Sequence, residues 1–377
     1  MVVPSIDIAL GGPSYSSVNL CRALSMHGVA VTLLTTKPAG PVPPGTGRGF
    51  NVQYFPRSFP ARFGNSRELI AALRANAKRY DLLHLTNLWN AVTTRAAWTA
   101  HRLGLPYVLT PRGMLSAWSR SLRRLDKEFY FAMAEERTIR RAACLHFLTG
   151  EEAKASARFL RHTPQCIIPN GVWLDESRGA DPEGFRARFD LGGKRCVLFL
   201  GRLHPIKRLD LQCEALAILS PKFPDLRWVF AGPDDGVQKR LMGYLRAARL
   251  EGKVVFTGLL SGLDRISALA AADVYCQTSD HEGHSVAITE ALAAGRPCVV
   301  TQSCNFEAIG HARAGFVVPS TPAAIADAAD QLLNDRPLAS TMARNAVQLI
   351  EETYTWQAVA QRMMAAYAGV LGHSQRS

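Results

Sequence analysis

Short apolar runs alternate with longer helix-like segments along most of the chain. The runs DLLHL (81–85), YVLT (107–110) and CVLFLG (196–201) have strand length and contain few polar residues. Strands buried on both faces of a parallel sheet read in this way, and their alternation with helices predicts α/β architecture. The alternation starts again after residue 193, and the two halves share no other similarity. The pattern therefore predicts two Rossmann-like α/β domains.

Three segments of the first half carry more particular expectations. The run VVPSIDIAL (2–10) is strand-like, and residues 66–79 read as a helix capped by Ser66. Between them, residues 37–65 are rich in Pro, Gly and Arg, which predicts an irregular surface excursion.

The stretch SDHEGHSVAITEALAAGRPCVVT (279–301) organises the second half. Its Ala- and Leu-rich part predicts a helix that opens near Ser285, and Gly295 and Pro297 can end that helix before a buried strand. The free amides of a helix start attract phosphate. Glu290 lies about 9 Å further along the helix, at ~1.5 Å per residue. That distance is suited to a carboxylate that binds the ribose of a phosphate-bound nucleotide.

Two other loops follow strand-like runs. Gly11 and Gly12 form a turn between the first strand-like run and a helix, but they lack the full dinucleotide-binding pattern, so a nicotinamide site is a weak interpretation. Arg202 and Lys207 lie on the loop after CVLFL, where ligands bind in open α/β sheets. Two cations at that position can neutralise a phosphate leaving group.

Taken together, these stretches resemble the family-four retaining glycosyltransferases of the GT-B fold. The resemblance covers nearly the whole chain: the glycine turn, an IPNGV turn (168–172), the GR…K loop (201–208), two glutamates eight residues apart, and a C-terminal helix. It implies two Rossmann-like domains that face a central cleft. Residues 1–170 would bind the acceptor, residues 171–355 the nucleotide sugar, and residues 356–377 would form a helix that crosses back to the first domain.

The resemblance also implies roles for individual residues. Glu282 is expected near the donor sugar, and Arg202 and Lys207 at the donor diphosphate; these three form the predicted catalytic set. Arg112 stands where many members have histidine, and this arginine can neutralise a phosphate-bearing acceptor. His284 stands where the family commonly has phenylalanine. The predicted substrate-binding residues are Gly11, Gly12, Arg112, Gly283, His284, Ser285, Val286 and Glu290.

Cysteine and histidine usage predicts neither a disulfide framework nor a metal site. The eight cysteines are scattered without CxxC spacing, and the ten histidines form no HExxH motif. The expected site contains no metal and no cofactor, with the nucleotide sugar as a substrate. The first residues lack the basic and long apolar regions of a signal peptide, which favours a cytoplasmic location.

Positive charge is concentrated in the first half. Residues 1–170 contain 22 Lys and Arg against 9 Asp and Glu, whereas the remaining residues contain 22 of each. Within that half, residues 114–141 place Trp118 and other apolar side chains at helical spacing among arginines. This helix either lies on an anionic membrane surface or buries its apolar side in the domain core. The first interpretation predicts a peripheral membrane enzyme that glycosylates a lipid-linked acceptor.

Two other functions remain open from the sequence. A GT-B sugar-nucleotide epimerase would recognise the same donor, and analysis of the products formed from donor alone would identify it. A basic nucleic-acid-binding protein is suggested by the high isoelectric point, near 9.6. No nucleic-acid-binding motif is recognisable, so we expect no nucleic-acid partner. A salt-dependent DNA-binding assay separates these possibilities.

Overall fold

A computed structural model of the chain describes residues 1–58, 64–115, 130–160, 163–177, 179–260 and 262–374. The chain divides into two compact units, described separately below. The first unit contains residues 1–171 together with 356–377, and the second contains residues 172–355. The chain therefore returns to the first unit at its C-terminal helix.

The first unit is built on a parallel sheet. Over the described residues the sheet has seven strands in the order β3-β2-β1-β4-β5-β6-β7. The chain moves outward from β1 to β3, then returns to β4 on the other side of β1. In such sheets, ligands bind beyond the carboxyl ends of the strands where the order reverses, here β1 and β4. The strands are β1 (Val2–Val3), β2 (Thr32–Thr36), β3 (Asn51–Phe55), β4 (Leu83–Thr86), β5 (Tyr107–Thr110), β6 (Cys144–Phe147) and β7 (Gln165–Ile167).

Helices lie between most of these strands, and the C-terminal helix joins the same unit. Leu69, Val92 and Phe147, from two helices and a strand, are buried in one apolar core. The C-terminal helix packs against the helix that follows the glycine turn. The helices of this unit are α1 (Gly12–Met26), α2 (Arg67–Asn76), α3 (Ala91–Arg102), α4 (Glu136–Arg140), α5 (Gly150–Leu160) and, at the C-terminus, α14 (Trp356–Ser374).

The second unit contains another parallel sheet. Its described strands have the order β10-β9-β8-β11-β12-β13, so the order reverses between β8 and β11. Val197 and Phe199 pack in one apolar cluster and Leu198 in another. Alternate residues of β8 thus face opposite sides of the sheet, and both sides are covered. The strands are β8 (Cys196–Leu200), β9 (Arg227–Ala231), β10 (Val254–Gly258), β11 (Val274–Gln277), β12 (Cys298–Thr301) and β13 (Gly315–Val318).

The helices that cover this sheet match the predicted alternation. They are α6 (Pro182–Arg188), α7 (Leu209–Leu219), α8 (Gln238–Ala247), α9 (Gly262–Ala271), α10 (Val286–Ala293), α11 (Ala308–His311), α12 (Pro322–Asn334) and α13 (Arg336–Leu349). The β8 loop (residues 201–208) and the β11 loop (residues 278–285) extend from the two strands at which the order reverses. The fold therefore places these two loops side by side.

Two expectations for the first half were wrong. The strand-like run 2–10 forms a strand only at Val2–Val3, followed by a 3-10 turn at Ile8–Leu10. Pro4 has no amide hydrogen for the sheet, and the Asp7 side chain accepts a hydrogen bond from the amide of Ala9 at 3.0 Å, which starts the turn. The segment 37–65, expected to be irregular, contains the edge strand β3, which pairs with β2.

Candidate active site

The β8 and β11 loops are hydrogen-bonded to each other. The amide of Asp280 donates to the carbonyl of Ile206 at 2.8 Å. The Thr278 hydroxyl donates to the Arg208 carbonyl at 2.9 Å, and the Arg208 guanidinium is 3.1 Å from the Asp280 carboxylate. These contacts join the GR…K loop to the stretch that carries the first glutamate of the motif.

Glu282 is held by three donors at the join between the two loops. Its Oε1 accepts hydrogen bonds from Gln277 at 2.8 Å and Ser279 at 2.5 Å, and it forms an ion pair with Lys207. The Asn305 side chain donates to the Glu282 carbonyl at 2.9 Å. The Glu282 and Lys207 side chains are 13% and 19% exposed. Two residues of the predicted catalytic set are thus in direct contact and largely buried.

Helix α10 begins immediately after this pair. The Ser285 hydroxyl accepts from the amide of Ile288 at 3.4 Å and donates to Gln277 at 3.1 Å. Ser285 is therefore the N-cap of the helix, as predicted. At Gly283 an added Cβ would meet no atom within 4 Å. The backbone at residues 283–286 leads into a helix start with an open approach at its glycine, which suits contact with a phosphate.

His284 is enclosed by aromatic rings. Its ring lies 5.6 Å from that of Phe306 and 5.9 Å from that of Tyr354. Both ring nitrogens are buried, and among the described residues they have no hydrogen-bond partner. Burial lowers the pKa of His284 to about 4, so the imidazole is neutral at neutral pH. The side chain thus packs inward against aromatic rings.

Glu290 points toward helix α9. Its carboxylate forms an ion pair with Arg265, and the two side chains are 14% and 28% exposed. Arg265 did not emerge from the sequence, because no motif links it to a glutamate 25 residues later. The predicted ribose ligand therefore already contacts a cation.

Arg202 lies on the same loop as Lys207 but has a different partner. Its guanidinium is 2.8 Å from the carboxylate of Asp235, and its side chain is 67% exposed. Asp235 follows Asp234, whose side chain accepts from the amides of Gly236, Val237 and Gln238 and so fixes the turn after β9. Arg202 is thus accessible to solvent and held in place by one carboxylate.

In the first unit, the predicted glycine turn lies at the start of α1. Gly11 has φ 78° and ψ −148°, a conformation that a side chain would strain. An added Cβ at Gly11 or Gly12 would meet no atom within 4 Å. This backbone is open to a ligand at one of the two strands where the sheet order reverses.

Arg112 extends from the end of β5 toward α1. Its guanidinium donates to the hydroxyls of Ser16 at 2.6 Å and Ser17 at 3.3 Å. Burial lowers its pKa to about 10, while nearby Glu152 favours the charged form. The Glu152 carboxylate itself accepts from the amide of Gly113 at 2.5 Å. Arg112 therefore joins β5 to α1. The sequence did not predict this contact, and binding of an acceptor phosphate by Arg112 stays a prediction.

A chain of buried polar groups, also missed from the sequence, crosses the first unit. The Tyr367 hydroxyl is 2.5 Å from His84 Nδ1, and His84 Nε2 is 2.6 Å from Thr110 Oγ1. Thr110 Oγ1 is 2.8 Å from His146 Nδ1, and His146 Nε2 is 2.7 Å from the carbonyl of Ile168. Burial lowers the pKa of His146 to about 4 and that of His84 well below its usual value. Both imidazoles are therefore neutral at neutral pH.

The direction of every hydrogen bond in this series of polar groups follows from the acceptor at its end, the carbonyl of Ile168. The carbonyl of Ile168 can only accept, so His146 carries its proton on Nε2 and accepts at Nδ1 from Thr110. Thr110 then accepts from His84 Nε2, and His84 Nδ1 accepts from the Tyr367 hydroxyl. One pair of tautomers satisfies every group. The C-terminal helix is thereby connected through β4, β5 and β6 to the IPNGV turn.

The remaining expectations concern metals, disulfides and membranes. All eight cysteines lie in described parts of the chain, and all are free thiols. Across the described residues, no three His, Cys, Asp or Glu side chains are grouped as metal ligands would be. Within the same residues, no helix combines the length and apolar character needed to cross a bilayer. Most of the predicted amphipathic segment, residues 116–129, lies outside the described residues.

Comparisons with known proteins agree with the fold of both units. Residues 11–171 match the model of the glycosyl transferase 4-like domain, and residues 183–349 match that of glycosyl transferases group 1. Phosphatidyl-myo-inositol mannosyltransferase of Mycobacterium tuberculosis is 30% identical over 215 residues, which are 54% of each chain. The aligned parts are 48%, 62% and 54% of the first curated relatives' own lengths, so the chain spans about half to two thirds of these proteins.

Solved structures show the same architecture. Sucrose-phosphate synthase from Thermosynechococcus elongatus superposes with a TM-score of 0.75 at 20% identity, covering 96% of this chain and 94% of the synthase. Anabaena HepE, solved in complex with UDP and glucose, superposes with a TM-score of 0.73 at 19% identity over 98% of both chains. At these identities the likeness supports the fold alone.

Proposed function

Because the chain belongs to the family-four glycosyltransferases of the GT-B fold, we propose that it transfers a sugar from a nucleoside-diphosphate sugar to an acceptor hydroxyl, with retention of configuration. The proposal gives the donor to the second unit and the acceptor to the first. The transferred group is a hexose, and no metal takes part.

The observation that carries this proposal is the Lys207–Glu282 pair beside the start of α10. A sugar nucleotide presents a diphosphate next to a polyhydroxylated ring. A cation, a carboxylate and a helix N-terminus, all at the strands where the sheet order reverses, match these groups in charge and hydrogen bonding. HepE, which shares the fold, has been solved with UDP-glucose, so uridine nucleotides are the first donors to test.

The proposed reaction breaks the bond between the sugar and the diphosphate. Negative charge then grows on the diphosphate, where Arg202, Lys207 and the α10 amides stabilise it, while the sugar becomes oxocarbenium-like. Glu282 hydrogen-bonds the donor sugar. Its contacts with Gln277 and Ser279 keep it oriented when Lys207 turns to the phosphate. A diphosphate oxygen accepts the proton of the attacking hydroxyl, so no separate base is needed.

Thermal shift against a panel of nucleotide sugars tests donor binding, because a ligand of the folded state raises the melting temperature. With the donor so identified, Glu290→Ala should weaken donor binding by about 1.5–3 kcal/mol, the range for a hydrogen bond to a charged group. Lys207→Met and Arg202→Ala should depress kcat more than donor affinity, because the charge they meet grows toward the transition state.

Lys222→Met is the matched control for Lys207. Lys222 also forms an ion pair within the second unit, with Asp330, but it follows the end of α7, whereas Lys207 precedes the start of that helix. Its variant should keep wild-type kcat. Transfer should also persist in a strong chelator. If a folded Glu290→Ala protein binds the donor as tightly as wild type, Glu290 is not the ribose ligand. If a chelator abolishes transfer, the reaction is not metal-free.

The acceptor is proposed to be a lipid-linked glycan intermediate, in the assembly of a bacterial-type polysaccharide or glycolipid. The support is the excess of 13 positive charges in residues 1–170, which suits reversible docking on the anionic cytoplasmic face of a membrane. Each basic residue near such a surface contributes about 1 kcal/mol, and salt screens the attraction. Co-sedimentation should therefore occur with anionic vesicles at low salt and fail with neutral vesicles or at high salt. Absence of binding to anionic vesicles at low salt would favour a soluble anionic acceptor.

A further inference from the structure

The ion pair between Arg265 and Glu290 is a contact of the second unit that the proposed reaction does not use. Arg265 belongs to α9, which begins just beyond the carboxyl end of β10, and Glu290 belongs to α10. The two side chains are 28% and 14% exposed. The pair is thus mostly shielded from water. An ion pair in such a place is much less screened than one at an open surface.

The position of Arg265 on its helix is electrostatically unfavourable without a partner. It lies in the first turn of α9, where the helix dipole presents positive charge. A nearby carboxylate removes that penalty. Helix polarity therefore does not favour an arginine here; the carboxylates that offset it are Asp264 in the same turn and Glu290, with which Arg265 forms the ion pair.

A small pocket lies beside the pair. The cavity beside it has a volume of about 30 Å³ and is lined by Trp173, Leu174 and Leu269 as well as the two charged residues. A buried water needs roughly 10–15 Å³ of such volume, so the cavity holds no more than two or three waters. The Glu290 carboxylate therefore has apolar side chains on the side of this pocket as well as its contact with the guanidinium.

We propose that Arg265 is a positioning residue for ribose recognition, holding the Glu290 carboxylate in the orientation in which it accepts the ribose hydroxyls. A carboxylate has about four hydrogen-bond acceptor positions, so it can bind a guanidinium and hydroxyls together. The inference rests on the proposed function, because it takes Glu290 as the ribose ligand. Arg265 itself need not touch the nucleotide.

The test compares nucleoside diphosphates with their 2′,3′-dideoxy analogues. Dissociation constants are measured by calorimetry for UDP, GDP and ADP, and then for the analogue of whichever binds. Wild-type protein should bind the ribose form at least about tenfold more tightly, since one hydrogen bond to a charged group corresponds to roughly that factor. We call the dissociation constant of the dideoxy analogue divided by that of the nucleoside diphosphate the ribose ratio. In Arg265→Met the ribose ratio should fall below about threefold, and Arg265→Lys should restore part of it.

Two controls separate positioning from general damage. Inorganic pyrophosphate reports the phosphate half of the site, so its affinity should be the same in wild type and Arg265→Met. Arg188→Met removes another arginine ion pair to α9, with Asp264 at 3.3 Å, and should leave the ribose ratio unchanged.

Each remaining outcome overturns a distinct claim. If Glu290→Ala abolishes the ribose ratio but Arg265→Met keeps it, the positioning role is wrong and the proposed function stands. If Arg265→Met binds the ribose form more tightly than wild type, Arg265 competes with ribose instead of positioning its ligand. If no nucleoside diphosphate binds, or Glu290→Ala keeps the ratio, the ribose assignment fails and the role of Arg265 falls with it.

Discussion

The buried hydrogen-bond chain in the first unit provides a sharp test of the structure at Tyr367. Replacing Tyr367 with phenylalanine removes the hydroxyl that donates to His84 and keeps the ring. The ring contact with His84, nearly perpendicular at 87° with 5.8 Å between centroids, can therefore persist. The substitution therefore removes only the first donor of the hydrogen-bond series.

The expected cost follows from what the substitution leaves behind. His84 Nδ1 would be a buried acceptor without a donor, which costs about 1–3 kcal/mol. Rotating the imidazole or switching its tautomer does not remove the defect, because Thr110 must then break its own bond to His84 or to His146. The whole chain would have to rearrange to recover one bond.

Hydrogen–deuterium exchange measures this cost in each unit separately. Peptides that cover β4 and β6 should lose about 1–3 kcal/mol of opening free energy in Tyr367→Phe, while peptides from β8 and β9 should be unchanged. Tyr244→Phe is the matched control, because Tyr244 is 39% exposed and its variant should be neutral. A loss of opening free energy below about 0.5 kcal/mol in β4, or an equal loss in both units, would refute the assigned hydrogen-bond series.

Three further predictions follow from buried groups. Burial lowers the pKa of His146 to about 4 and that of His84 well below its usual value, so the unfolded chain binds protons that the folded chain does not as the pH falls below about 6.5. Urea unfolding should therefore show the free energy of unfolding decreasing with falling pH, by up to about 1.4 kcal/mol per pH unit for each histidine; a flat profile would contradict the buried neutral state. His284→Phe removes two unpartnered buried nitrogens and should raise stability by about 1 kcal/mol, and destabilisation would show that the nitrogens are bonded. At Gly232, φ is 152° and an added Cβ would lie 1.9 Å from the carbonyl oxygen of Gly201, so Gly232→Ala should displace the β8 loop and lower the melting temperature, unlike an alanine at Gly243, where no atom is within 4 Å.

The fold was predictable where burial leaves a strong pattern in the sequence. Strands such as β8 (CVLFL) and β12 (CVVT) are buried along their whole length, and a continuous apolar run is the mark of that environment. Strand β3 (NVQYF) lies at the edge of its sheet, and its five positions are either exposed or half-buried, none fully buried. Its pattern is weak, and the surrounding prolines and glycines concealed it. Pro4 ended a run that hydropathy alone would have continued.

The candidate site was predictable in its residue types but not in their partners. Ser285 was expected at the helix start, because a serine before an apolar helical run is a local signal. Asp235 and Arg265 could not be found in this way. Each meets its partner only because the parallel sheet brings together segments that are 33 residues apart in sequence for Arg202 and Asp235 and 25 apart for Arg265 and Glu290. The polar chain through His84 spans 283 residues, and no local pattern encodes it.

These pairings bear on how a donor would bind. Arg202, Lys207 and Glu290 are each matched by an opposite charge from the same unit, so a diphosphate sugar would exchange existing ion pairs for new ones. The exchange should favour ligands that offer several contacts at once, because a lone phosphate replaces one partner and leaves the freed Asp235 or Glu282 carboxylate without its cation. A complete donor can also supply hydroxyls to such a carboxylate. Selectivity for the intact sugar nucleotide over free phosphate then follows from the protein's own charge pairs as much as from the shape of the site.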